Sequence, residues 1–236
     1  ALLLGAGGAA MIGGAGAMLW SLAPAASFAA TYATPIGGRE DAALPDGSAI
    51  ALNADTRLRA AFTEQARIVH LERGEALFSI AGDPRPFEVR TPFGAVVAEG
   101  TMFLVKLRSA SARVSILAGQ VSGETSRGGV EAAANQELIL SSQGAELQNL
   151  NADVAARRLA WRDHMLAFDG ETLADAARDV ERQTHVRFRF ARPDIGALRV
   201  GGYIDARDTR AFVSLVETNL GLSVRRQDDG AFLIDD

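Results

Sequence analysis

From Arg67 to Val121 the apolar residues alternate with polar ones, and glycines break the alternation at short intervals, a pattern that allows strands but no sustained helix. Four segments, RIVHLERGEALFSI, RPFEV, GTMFLVKL and VSILAGQV, set Phe78/Ile80, Phe87/Val89, Phe103/Val105/Leu107 and Val114/Ile116 two residues apart. Each therefore offers one face to a core. The breaks fall at Gly74, Gly82-Asp83-Pro84, Pro92-Phe93-Gly94, Gly100 and Gly119, residues that supply positive φ or a fixed φ at a corner. Similar short segments extend the pattern from about Arg39 to Leu150 at the spacing of about 8–12 residues found in sandwiches and barrels. Glycine after each strand adds a coiled solenoid of stacked rungs to the candidates.

Ala1 to Pro35 contains no charged residue, and its first 23 residues are apolar enough to cross a bilayer as one helix. Gly5, Ala9 and Gly13 form a small-residue row on it, and Trp20 stands where interfacial aromatics lie. The alternative is a secretory signal with cleavage near Ala26 or Ala30. The sequence opens without a Met or basic leader, which points to a start inside a longer protein. Gly5-Ala6-Gly7-Gly8-Ala9-Ala10 mimics a dinucleotide fingerprint but lacks the βαβ unit and the acid about 20 residues on. Residues 24–38 read as a spacer.

After Gln148 the helical period appears. Residues 151–165 read as a linking helix, and 166–236 as a β-α-β-β-α-β-β unit. Thr172 and Asp208 are placed to cap its helices, Gly221 to end the second, and Asp228-Asp229-Gly230 to turn a hairpin. The fold class is thus mainly β followed by α+β: one transmembrane helix, a solenoid-like or sandwich domain, and a small module.

The chain has a net charge of -5, which gives no general attraction to nucleic acid, and it has no cysteine, which excludes thiolate chemistry. His70, His164 and His185 stand apart in no ligand spacing, so neither metal nor cofactor is expected. Glu72, Glu75, Glu88 and Glu99 lie beside strand ends and read as a solvated face rather than a catalytic carboxylate pair. Arg67, Arg85 and Arg113 read as surface residues, with partner docking the alternative. No enzyme is expected.

The phrases LPDGS at Leu44, LNADT at Leu52, GEALF at Gly74, RPFEV at Arg85, GTMF at Gly100 and WRDHMLAF at Trp161, in this order, resemble the periplasmic signature of the FecR family of anti-sigma transducers. The resemblance implies structural roles for Pro45, Asp46, Gly47, Gly74, Glu75, Phe78, Arg85, Pro86, Phe87, Gly100, Thr101, Phe103 and Trp161. Three positions depart from the family pattern: Gly38 replaces an acid, and Asn135 and His164 replace glycines, though both residue types tolerate the left-handed region. The last 70 or so residues resemble the short N-terminal module of secretins and TonB-dependent receptors.

The resemblance implies a single-pass inner-membrane protein with its C-terminal domains in the periplasm. Its implied partners are the signalling domain of a TonB-dependent outer-membrane transducer and an extracytoplasmic-function sigma factor, the latter bound through a cytoplasmic segment that is not in this sequence. The candidate partner-binding strands are Val186, Arg187, Phe188, Arg189 and Phe190, and Leu198, Val200 and Tyr203. The competing reading is an envelope-anchored solenoid scaffold or adhesion protein without sigma-factor regulation.

Overall fold

The computed structural model describes residues 27–236, so the expected membrane helix and the first three residues of the expected spacer lie outside the described residues. The rest of that spacer is no free linker: Phe28–Ala33 form a strand paired with Arg57–Phe62. Among the described residues no helix is long and apolar enough to cross a membrane.

The first fourteen strands are β1 (Phe28–Ala33), β2 (Glu40–Ala43), β3 (Ala49–Leu52), β4 (Arg57–Phe62), β5 (Arg67–Arg73), β6 (Glu75–Ser79), β7 (Phe87–Thr91), β8 (Gly94–Ala98), β9 (Met102–Leu107), β10 (Ser111–Ala118), β11 (Gln120–Thr125), β12 (Gly128–Ala133), β13 (Gln136–Ser141) and β14 (Gly144–Asn149). They form two seven-stranded sheets, one ordered β1-β4-β5-β7-β8-β11-β12 and the other β14-β13-β10-β9-β6-β3-β2. The sheets face each other across one core, in which Leu58, Val69, Phe87 and Val96 of the first meet Leu52, Phe78, Phe103 and Val114 of the second. Ring contacts run from Phe62 through Phe87 and Phe78 to Phe103, at centroid distances of 6.0, 6.2 and 5.3 Å.

This is a sandwich. Within it only β5–β7 pair in parallel, whereas stacked solenoid rungs would pair in parallel throughout. Of the glycines expected between rungs, Gly74, Gly100 and Gly119 are corners where the chain changes sheet, and Gly94 turns the β7–β8 hairpin within one sheet. Six crossings turn on a left-handed residue: Gly37, Asp55, Gly74, Gly100, Gly119 and Asn135, with φ of 72°, 51°, 95°, 59°, 77° and 67°. RIVHLERGEALFSI is accordingly two strands, β5 and β6, on opposite sheets.

The remaining elements are α1 (Ala152–Leu159) with a 3-10 turn over Ala160–Asp163, β15 (Met165–Thr172), α2 (Leu173–Gln183), β16 (Phe188–Phe190), α3 (Pro193–Ala197), β17 (Arg199–Asp205), α4 (Thr209–Leu220), β18 (Ser223–Arg226) and β19 (Phe232–Asp235). The caps stand where the sequence puts them. Thr172 accepts from the Asp175 amide at 3.1 Å, Asp208 from those of Arg210 and Ala211, and Gly221 ends α4 at φ 68°. The short α3, begun by Pro193, is an addition to the expected element order. A second core, built on Phe168, Phe188 and Phe212 with Leu173, Val180 and Val216, joins α2 and α4 to a β15–β17 ribbon and a β16-β19-β18 sheet.

Candidate functional site

The partner-binding candidates fall on two ribbons with different amounts of free edge. β16 begins at Phe188, so Val186 and Arg187 precede the strand. Phe188 and Phe190 turn to the module's core, and Arg189 to solvent. Hydrogen bonds from Phe232 N to Arg187 O and from Ala191 N to Ile234 O fix the alternation of the parallel β16–β19 pair. The Arg189 amide therefore faces β19, not the open side. The Phe188 amide does face outward, but it donates to Glu181 Oε1 at 2.7 Å.

β17 is more open. Its bond from Ala206 N to His164 O sets the alternation of the antiparallel β15–β17 pair, so the backbone groups of Gly201, Tyr203 and Asp205 point away from β15. Among the described residues β17 pairs with no other strand. Val200 and Ile204 anchor it in the core, while Tyr203 is 52% and Leu198 40% exposed. The Arg157 guanidinium stands 6.0 Å from the Tyr203 ring centre.

Behind this edge the module is seated on the outer face of the second sheet. Trp161 packs on Ala51, Leu77 and Leu104 of β3, β6 and β9. Asp179 of α2 is buried and gathers Lys106 Nζ and the Arg108 guanidinium, each at 2.9 Å, with Arg182 at 2.5 Å. Lys106 and Arg108 belong to β9 and the residue after it, so this cluster joins the two modules. Glu75, 2% exposed, lies 3.6 Å from Lys106 and accepts from Asn53 at 2.8 Å, and Asn53 accepts in turn from Gln183 of α2 at 2.9 Å. Arg158 bridges Glu137 of β13, at 3.2 Å, and Glu171 of β15, at 2.5 Å.

Burial pushes the Asp179 carboxyl up, but Arg108, Lys106 and Arg182 outweigh it and hold its pKa far below the usual carboxylate range. Burial lowers Lys106, helped by Arg108 and opposed by Asp179 and Glu75. Beside this seam a cleft of about 600 Å³ opens between Phe93 and Leu107 on one module and α2 on the other. Its arginines, Arg73, Arg178 and Arg182 among them, are each paired with an acid.

Two expectations about charge are overturned. Arg67 is no surface residue: its side chain and that of Asp46 are fully buried, 2.6 Å apart. It also donates to Arg85 O, at 2.8 and 3.1 Å, and to Ala81 O, and it stands 5.3 Å from the Phe87 ring centre. The pair ties the Pro45-Asp46-Gly47 turn to the Arg85-Pro86-Phe87 segment. Glu75, expected on a solvated face, is inside the seam. Of the other residues, Glu72 pairs with Arg57 and Arg59, Glu88 with Arg90 and Arg85 with Asp83, while Glu99 is exposed. Arg113 is about one-third exposed and reaches Glu137. His70 is half-buried, and burial with Arg90 and Arg59 lowers its pKa. Thr101 is buried beside Gly119, and Phe78 and Phe103 stack in the core.

Of Asp179, Lys106, Arg108, Asn53 and Gln183, only Asn53 falls in one of the family-like phrases, LNADT. One signal was available: Lys106 is the sole lysine in a chain with 24 basic residues.

The family model for FecR protein matches residues 30–122. That segment is similar to a FecR domain. It runs from the third residue of β1 through β10 to the third residue of β11, and therefore supplies most of both sheets and all of the sheet surface beneath Trp161. Two crystal structures of a candidate anti-sigma factor from Parabacteroides distasonis ATCC 8503, at 2.50 and 1.65 Å resolution, share the fold. Each superposes with a TM-score of 0.78 at 24% sequence identity, covering 89% and 87% of this chain and 99% and 98% of theirs. At that extent the shared fold runs past the matched segment through the seam into the small module. Comparison with curated proteins finds no match.

Proposed function

We propose that the chain is the membrane anchor and periplasmic part of a single-pass regulator of an extracytoplasmic-function sigma factor. In this reading it receives its signal from the signalling domain of an outer-membrane TonB-dependent receptor. The observation that carries it is the uncovered β17 edge on a module whose other side is locked to the FecR domain by buried ions. An open edge accepts a partner's strand through backbone hydrogen bonds, with Tyr203 and Leu198 as side-chain contacts. A module fixed by Asp179 and Trp161 hands that event to the sandwich as a whole, toward β1 and the apolar stretch ahead of it. The FecR domain and the fold shared with a candidate anti-sigma factor support the regulatory role. The role is one of protein recognition rather than catalysis.

The test is titration of the full chain, in detergent, with a purified receptor signalling domain. Tyr203→Pro removes an outward donor of β17 and should weaken binding at least tenfold. Arg226→Pro, on the edge of β18, should leave it unchanged. Undiminished binding by Tyr203→Pro would move the partner off β17, and a wild-type chain that binds no such domain would sink the receptor reading.

A further inference from the structure

Among the described residues each sheet ends in strands with one unpaired side, and seven of the eight such strands carry charge. β2 has Glu40 and Asp41, β12 Glu131, β14 Glu146, β15 Asp169 and Glu171, β16 Arg189, β17 Arg199 and Asp205, and β18 Arg225 and Arg226. Charge on an edge is the usual defence against strand-to-strand association. β1, Phe-Ala-Ala-Thr-Tyr-Ala, has none, and among the described residues it pairs only with β4.

Its alternation is fixed by the bond from Thr34 N to Thr56 O next to the β1–β4 register. The amides and carbonyls of Ala29, Thr31 and Ala33 consequently face away from β4. The side chains of these three residues are small and exposed, so nothing bulky stands over the free row. Phe28 and Tyr32 lean the other way, against the sandwich core.

We propose that β1 pairs antiparallel with β1 of a second copy of this chain, about a two-fold axis through Thr31. The sequence is matched to its own reverse at that register. Thr31 meets Thr31 and Ala29 meets Ala33 on the outer face, while Ala30 meets Tyr32 on the inner face, a small residue beneath a ring at each crossing. All three outward residues fall in pairs that exchange both hydrogen bonds, giving six across the axis, and the β1-containing sheets of the two copies become one. Such an isologous contact closes on itself and stops at two copies. Neither the β17 edge nor receptor binding is used, so the proposal stands or falls apart from the function above.

The absence of cysteine makes the register readable. In the full chain in detergent, mild oxidation of Thr31→Cys should give a disulfide-linked dimer, because facing residues of such a pair lie about 5.5 Å apart at Cα, within disulfide reach. Ala29→Cys should stay monomeric, its counterpart being about 14 Å along the strand. Ala29→Cys with Ala33→Cys should cross-link again, and Thr31→Lys should abolish the dimer of the otherwise wild-type chain. Unchanged Trp161 fluorescence confirms that each variant is folded. If Thr31→Cys stays monomeric, β1 is covered by something else, such as a partner protein's strand or this chain's own residues 1–26. If Ala29→Cys alone cross-links as readily, the contact has no register. Either result overturns the proposal.

Discussion

Left-handed backbone is the residue-scale device that lets one chain build two facing sheets. A Cβ at Gly74 would stand 2.3 Å from Thr56 Oγ1 and 2.5 Å from Thr56 Cα, whereas at Gly100 nothing lies within 4 Å. The two corners therefore separate strain from collision. Gly100→Val should cost about 1–3 kcal/mol through its φ alone. Gly74→Ala should cost more despite the smaller side chain, because the Thr56 backbone must also move. Urea unfolding midpoints would give the order, and equal costs would show that the Thr56 contact is relieved without strain. Asn135 and His164, both at positive φ, confirm that these residue types fill glycine positions here. The position of Arg67 was legible as well: it shares the parity of Val69 and Leu71, and only the default that arginine is solvated argued against burial.

At the scale of elements, α2 does two jobs on adjacent arcs. Leu173, Ala176, Ala177 and Val180 fill the small core, and Asp179 at the margin of that stripe reaches Lys106, Arg108 and Arg182. Removing the acid leaves three buried or half-buried cations without their common anion. Asp179→Leu should therefore loosen the seam by about 3–5 kcal/mol, the usual consequence of breaking one side of a buried ionic cluster. Lys106→Met keeps Asp179 paired with two arginines and should cost much less. Trp161, packed at the seam, reports undocking by a red shift of its emission, with Trp20→Phe as background. An unshifted spectrum in Asp179→Leu would mean that the apolar contacts of Trp161 suffice alone. β6 and β9 had announced a covered outer face: Ala76-Leu77-Phe78 and Phe103-Leu104-Val105 are apolar at both parities, as strands buried on two sides are. What covered them was not written there.

For the whole molecule, the seam sets how the two modules respond to acid. The Asp179 pKa is depressed on folding, so its contribution is fully present above its unfolded value, near 4, and is lost as pH falls below it. Glu171, held below its ordinary value by the Asp169 amide and Arg158 against the effect of burial, has the same sign. Docking should be flat with respect to both acids between about pH 5 and 8 and should weaken below about pH 4. Trp161 emission and small-angle scattering against pH would check this. A transition near pH 6 would assign control of the seam to a histidine instead.

The strands, most of their glycine corners, the helix caps and the order of a β domain before an α+β module could be read from the chain alone, because these depend on alternation, φ and capping within a few residues. It also carried the FecR phrases, whose buried members hold the sandwich together. The tertiary structure alone decided that the rungs were two facing sheets, that Glu75 and Asp179 share one buried seam, and that β17 rather than β16 has the open edge. Each depends on which residues far apart in the chain meet: Glu75 is polar at a position that only α2 covers, and the Arg189 amide is engaged only because β19 returns beside it.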